Sequence, residues 1–339
     1  MNRNILFICN TPYQLLMACN LSYTLLKECQ VDVILSDHFH GAERMSEKIN
    51  ECNIIFRKAY FVKSFNFSRH QGEYLYLRKV SNRKLLYHIN IKRIAESMIR
   101  LERNYNEFWV ANYEEFTEVL FNYIRKEINH KIIINCYEDG YTSCCCDWWL
   151  RSPEMNAGFI RKIYEKYIKR ITYSPKEFTG YYVMHPEDIT FNIPYSTYKI
   201  PPINKFDITF MNQINELYEY NLCQDVYDKK VIFFEESYYV DGIPIDDLKY
   251  VEEVASIVGK ENIMIKIHPR NSENRWEKMG YKTNKDMSIP WEIIALNQDF
   301  SNKILVSISC NSIITSYFLA GIKGCILIII FSFPTIDAT

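Results

Sequence analysis

Two His-Pro steps stand out as places where a side chain could handle a proton: His185-Pro186-Glu187 and His268-Pro269-Arg270. Proline stiffens the backbone beside each imidazole. Near neutral pH an imidazole can hold or release a proton, which suits it to protonate a departing phosphate. Arg270 adds a planar fork of donors that matches phosphate oxygens. An ordinary surface turn explains either step equally well. Carboxylates form a second group. Glu138-Asp139-Gly140 follows an apolar run, and its glycine permits a tight turn and close approach of a ligand. A carboxylate in such a loop can serve as general base toward a hydroxyl. Asp241-Gly242 offers the same chemistry, and both sequences are also common turn formers. A third group, Ser307 to Ser312 (SISCNS), joins an apolar run to a helical one, where hydroxyls and free amides can bind phosphate without a metal or simply cap the helix. The fourth, Asn10-Thr11-Pro12-Tyr13-Gln14, brings helix-start amides together with polar side chains, and reads equally as a capped helix start.

What is missing narrows the chemistry. There is no D-x-D pair of the kind that holds a divalent ion on a diphosphate, no Walker lysine loop and no G-x-G-x-x-G. Lys plus Arg number 40 against Asp plus Glu 41, which argues against a nucleic-acid partner. The 11 cysteines include the run Cys144-Cys145-Cys146 but no C-x-x-C, so reduced thiols in a cytoplasm are expected rather than disulfides or zinc. The N-terminus turns polar too soon for a signal peptide, and the longest apolar run, Cys325 to Phe331, is too short to span a bilayer.

The elements that must position these residues alternate. Asn4 to Cys9 reads as a buried strand, Thr11 as the cap and Pro12 as the first residue of a helix reaching Leu26, and Val31 to Leu35 as the next strand. A helix over 84–104, a strand at Phe108 to Val110, a strand at Lys131 to Asn135 and a helix at Tyr164 to Ile171 follow. Pro194 and Pro201-Pro202 mark a linker at about 191–205. Beyond it come a strand at Val231 to Phe234, a helix at Ile245 to Val258, strands at Ile263 to Ile267 and Ile304 to Ile308, and a helix beginning near Ser312. A chain of 339 residues with this pattern predicts two Rossmann-like α/β domains, 1–190 and 206–339, facing a central cleft.

In this order, ICNTPYQLL, YEDG, a second-half D-G loop, KIHPR and a late serine-rich strand-to-helix turn resemble glycosyltransferase family 52, the bacterial sialyltransferases of lipooligosaccharide and capsular polysaccharide. The likeness runs from residue 4 to about residue 320. It implies a GT-B fold and inverting, metal-independent transfer of N-acetylneuraminic acid from CMP-Neu5Ac to a galactose-terminated glycan, in an α-2,3 linkage. No cofactor or metal is expected. His268 would be the acid toward the leaving CMP, with Arg270, Ser309, Asn311 and Ser312 on the donor. Asp241 or Asp246 in the second half and Asp139 in the first compete for the base, while Asn10, Thr11, Tyr13, Gln14, Glu138 and Gly140 would line the acceptor side. His185-Pro186-Glu187 reads as a structural turn. The alternatives are a relative using UDP-glucose, UDP-galactose or UDP-GlcNAc, and a catalytically dead nucleotide- or glycan-binding protein. The expected setting is cytoplasmic, peripheral to the inner face of the plasma membrane, with a homodimer allowed. The SCNS turn replaces a more usual Ser-Thr pair, and CILIIIFSFPTIDAT gives a shorter end than the resemblance implies.

Overall fold

The computed structural model describes residues 3–63, 95–96, 99–112, 115–145, 177–222, 225–238, 242–269, 271, 273–286, 289–320 and 325–328. The chain divides into two compact units, Met1–Pro202 and Ile203–Thr339.

The first unit is built on a parallel sheet. Its strands are β1 (Asn4–Cys9), β2 (Gln30–Ser36), β3 (Lys58–Val62), β4 (Glu107–Val110), β5 (Ile133–Tyr137), β6 (Phe178–Val183) and β7 (Ser196–Lys199), in the order β3-β2-β1-β4-β5-β6-β7. Every pairing is parallel. Strands covered on both faces read as continuous apolar runs, which is why NILFIC and VDVILS are so uniformly buried. Helix α1 (Pro12–Tyr23) begins where expected: Thr11 Oγ1 accepts the Gln14 N–H at 3.1 Å and Pro12 opens the first turn. Helices α2 (Ala42–Cys52), α3 (Glu115–Tyr123) and α4 (Thr142–Cys145) complete the described α-helices of this unit.

Two expectations shift, and a third lies outside the described residues. The helix expected over 84–104 does not persist: residues 99–104 are irregular, and 84–94 lie outside the described residues. Asn104 and Asn106 instead bond Asn4 and bring the chain into β4 beside β1. The helix expected over Tyr164 to Ile171 also lies outside the described residues. The stretch read as linker contains β7, an edge strand whose Tyr198 stacks on Tyr182 with ring centroids 4.8 Å apart. Gly180 makes room for that ring, since a Cβ there would sit 2.8 Å from Tyr198.

The second unit repeats the plan. Strands β8 (Val231–Phe234), β9 (Ile263–Lys266), β10 (Lys282–Thr283), β11 (Ile304–Ser307) and β12 (Cys325–Ile328) form a parallel sheet in the order β10-β9-β8-β11-β12. The described α-helices are α5 (Ile208–Leu217), α6 (Asp247–Val258), α7 (Arg275–Lys278), α8 (Trp291–Asn297) and α9 (Asn311–Ala320). A core of Val231, Phe233, Ile263, Ile265, Val306 and Trp276 holds them together. Two Rossmann-like units in one chain are the composition of the GT-B fold, as expected.

Candidate active site

In open parallel sheets ligands bind outside the carboxyl ends of the strands, where the strand order reverses. The first sheet reverses between β1 and β4, and the polar loops after those strands meet. Asn10 is buried; its Nδ2 donates to Asn112 Oδ1 at 3.0 Å and its Oδ1 accepts from Ser36 Oγ at 2.8 Å. Its backbone N–H donates to Gln14 Oε1 at 2.6 Å. The neighbouring strand β5 is stapled to β1 by Tyr137, whose hydroxyl donates to the Ile8 carbonyl at 2.7 Å and whose ring packs edge-on against Phe7.

That anchoring fixes the next residues, Glu138 and Asp139. Glu138 is 3 % exposed. One carboxyl oxygen accepts from the Tyr13 hydroxyl and the other from the Met184 N–H at 2.6 Å. Burial pushes its carboxyl up to about 7; the two hydrogen bonds oppose the rise and the adjacent Asp139 charge adds to it. Asp139 is partly exposed, and burial raises its carboxyl too, against the pull of Gln14 and Thr11. Its N–H donates to Ser143 Oγ at 2.8 Å, and its Oδ2 lies 3.5 Å from Asn112 Nδ2. Gly140 turns the chain at φ +88°, a left-handed conformation that favours glycine. Hydrogen bonds thus bring the Asn10–Gln14 loop and the Glu138–Gly140 loop, two separate groups in the sequence, into one constellation.

The second sheet reverses between β8 and β11. After β8 come Glu235 and Glu236, which divide the two flanking loops between them. Glu235, 2 % exposed, accepts the His268 N–H at 3.1 Å on Oε2, and Trp276 Nε1 at 2.6 Å and Arg275 Nε at 3.3 Å on Oε1. Glu236 Oε1 accepts from Ser307 Oγ at 3.1 Å and from the Ser309 N–H at 3.2 Å. Ser307 Oγ also accepts the Cys310 N–H at 2.6 Å, and the Ser309 hydroxyl lies 2.6 Å from that of Tyr238. His268 is thus partly exposed at one lip of the reversal and the serine turn stands at the other. Asn311 opens α9. Ser312 turns toward the buried Glu292, whose carboxyl rises through burial and is partly held down by Ser312 and Lys266. Lys266 is itself buried in β9 and its ammonium loses proton affinity.

Sequence reasoning missed Glu235 and Glu236. The signal was present: carboxylates directly after an apolar strand, the same signal that exposed Glu138 and Asp139. Asp241 and Arg270 lie outside the described residues. Asp246 caps α6 by accepting the Lys249 N–H at 3.4 Å. The earlier His-Pro step forms a short turn at Pro186–Asp188, with His185 Nδ1 3.5 Å from Glu187 Oε1. Among the described residues no group of three or more His, Cys, Asp or Glu could hold a metal ion, and no helix is long and apolar enough to cross a membrane.

Among solved structures the chain resembles a Listeria monocytogenes protein assigned as a UDP-N-acetylglucosamine 2-epimerase, at 10% identity and a TM-score of 0.51, covering 97% of this chain and 79% of that one. At such identity the likeness speaks for the fold alone. Arabidopsis thaliana UGT89C1 complexed with UDP-L-rhamnose aligns at 10% identity, TM-score 0.48, over 98% and 78% of the two chains. Spinosyn rhamnosyltransferase SpnG complexed with thymidine diphosphate aligns at 9%, TM-score 0.46, over 93% and 77%. Comparison with curated protein sequences finds no match. The profile of the Alpha-2,8-polysialyltransferase (POLYST) family matches residues 5–328, through both carboxylate pairs, His268 and the serine turn. The resemblance read from the motifs thus reached the level of a sialyltransferase family, although the matched profile is not that of family 52. On a match that spans both units, the chain belongs to the alpha-2,8-polysialyltransferase family.

Proposed function

We propose that the protein is an inverting sialyltransferase that moves N-acetylneuraminic acid from CMP-Neu5Ac to a glycan acceptor. The single observation behind the donor choice is family membership over residues 5–328. The acceptor-side base is the Glu138–Asp139 pair. Glu138 has the proton affinity suited to the task, near neutrality, and Asp139 has the exposure. The adjacent Asp139 charge adds to the rise of the Glu138 carboxyl, so the two residues are proposed together as the base. Asp241 keeps its place as the rival base implied by family 52.

On the donor side, His268 gives its proton to the phosphate oxygen of departing CMP. The serine turn, with Ser309, Asn311 and Ser312, holds the phosphate, and Arg270 is the further donor that the family 52 resemblance implies. As the bond from the sugar's anomeric carbon to the phosphate oxygen breaks, negative charge gathers on the phosphate, and preorganised donors stabilise it. The acceptor hydroxyl attacks the opposite face of the anomeric carbon as it loses its proton to the carboxylate pair, so the configuration inverts. Neither half needs a metal to balance charge, in keeping with a sequence that lacks D-x-D. The description of the matched family favours the 8-hydroxyl of a terminal sialic acid as the attacking group. Transfer to galactose in an α-2,3 linkage, which the family 52 resemblance implies, is the second reading. In either case we place the enzyme in bacterial capsular polysaccharide or lipooligosaccharide synthesis, at the cytoplasmic face of the membrane.

The test is a donor and acceptor screen. CMP-Neu5Ac, UDP-glucose, UDP-galactose and UDP-GlcNAc are each offered with lactose and with sialyllactose, and product linkage is read by NMR. Turnover of CMP-Neu5Ac onto sialyllactose is expected. Preference for a UDP-sugar would remove the sialyl reading, and binding without turnover would support a glycan-binding role.

A further inference from the structure

Resting on the reading of His268 as the acid, we infer that Glu235 is the positioning residue that aims it. An acid must meet the leaving oxygen within hydrogen-bond reach, and a displacement of about 1 Å costs on the order of 100-fold in rate. Pro269 stiffens the turn on one side only. The other constraints come from two loops that Glu235 and Glu236 bring together.

The His268 N–H donates to Glu235 Oε2 at 3.1 Å, and the His268 carbonyl accepts the Asn271 N–H at 2.9 Å. Asn271 is itself buried and its Nδ2 donates to the Glu236 carbonyl at 3.2 Å. The imidazole's backbone is therefore held at both ends by the residues that follow β8. Glu235 cannot swing, because its second oxygen is gripped by Trp276 Nε1 and Arg275 Nε. Arg275 is fixed in turn by an ion pair with the buried Asp247 and by its position over the Trp276 ring. A carboxylate is required here. Both of its oxygens accept from N–H donors, so an amide in its place would turn an NH2 group toward one of them. A buried carboxylate whose contact with the reacting turn, among the described residues, is a backbone amide is well placed to direct a neighbour and poorly placed to touch substrate.

The experiment is a double-mutant cycle on the full chain, with CMP-Neu5Ac and the acceptor found in the screen. Glu235→Gln is combined with His268→Ala, and kcat, acceptor KM and the dissociation constant of CMP are measured for each. If Glu235 acts through His268, Glu235→Gln alone lowers kcat roughly 10- to 100-fold while acceptor KM and CMP affinity stay within about threefold, and it costs nothing further in the His268→Ala background. Glu235→Asp, which keeps the charge but withdraws it by one methylene, should show a smaller loss with the same non-additivity. An equal loss from Glu235→Gln in both backgrounds would overturn the inference. So would loss of CMP binding in both Glu235 variants, which would show a residue that holds the whole unit together. A fully active His268→Ala protein would instead sink the reading of His268 as acid, an outcome told apart by that single variant.

Discussion

The ends of β5 and β8 carry the same device in different electrical surroundings. Each strand delivers two consecutive carboxylates: Glu138 and Asp139 in the first unit, Glu235 and Glu236 in the second. In each pair the first residue is buried, accepting a backbone N–H from the loop after the neighbouring strand (Met184 or His268) and a side-chain donor from an aromatic residue (Tyr13 or Trp276). The second residue is more open and lies toward polar groups at a helix start. What differs is the counter-charge. Glu235 has Arg275 beside it, whereas Glu138 forms no ion pair among the described residues, and its carboxyl is driven up to about 7. Glu235 is held in place by Arg275 and Trp276 as an anchor, whereas burial without a counter-charge leaves Glu138 able to exchange a proton near neutral pH. The same backbone plan thus yields a scaffold in one unit and a candidate base in the other.

The sharpest way to break this comparison is to exchange the two His-Pro steps as targets. His268→Ala should lower transfer by roughly 10²- to 10⁴-fold, while His185→Ala should cost less than about threefold, as read by initial rates with CMP-Neu5Ac. Equal losses would mean that the earlier step, flanked by Glu187 and Asp188, belongs to the chemistry after all.

Next in size is Glu138→Gln, which should lower kcat about 100-fold and stabilise the fold at alkaline pH. The sign follows from the shift. A carboxyl raised from 4.5 to about 7 makes the folded chain hold its proton more tightly than the unfolded chain does. That stabilisation is complete below pH 4.5 and disappears as pH climbs through about 7. A neutral amide escapes the loss. The thermal midpoint of Glu138→Gln should therefore exceed that of the parent protein by a few degrees at pH 8 and show no such gain at pH 4. A midpoint at pH 8 equal to or below the parent's would show that Glu138 carries no buried-charge penalty.

The smallest effect tests the aromatic donor. The Tyr13 hydroxyl holds the Glu138 carboxyl down, so Tyr13→Phe should move the rising limb of the kcat against pH profile upward by about half to one pH unit, with modest loss at the plateau. A limb that stays in place would separate Glu138 from the rate-limiting proton transfer.

Much of the candidate site was legible because strand-end chemistry is local. ILFICNTPYQ announces a buried strand, a cap and a proline at the first helical position, and the structure keeps all three. YEDG was readable as carboxylates with a glycine turn, and Gly140 does adopt the left-handed conformation. Glu235 and Glu236 were passed over because FFEES contains no glycine or proline to mark a turn. Their importance comes from partners 33 and 71 residues away in sequence. The tyrosine pair that makes β7 a strand was hidden for the same reason, behind prolines that read as a linker.

By itself the sequence determined the alternation of apolar strands and capped helices, the parallel α/β class that follows from it, and which short polar stretches stand at strand ends. Those are properties of neighbours along the chain. Tertiary structure decided which carboxylate is held as an anchor and which is raised toward neutrality. Burial lifts the Glu138 carboxyl and an ion pair with Arg275 holds Glu235 in place, and both depend on residues that only the fold brings within hydrogen-bond distance.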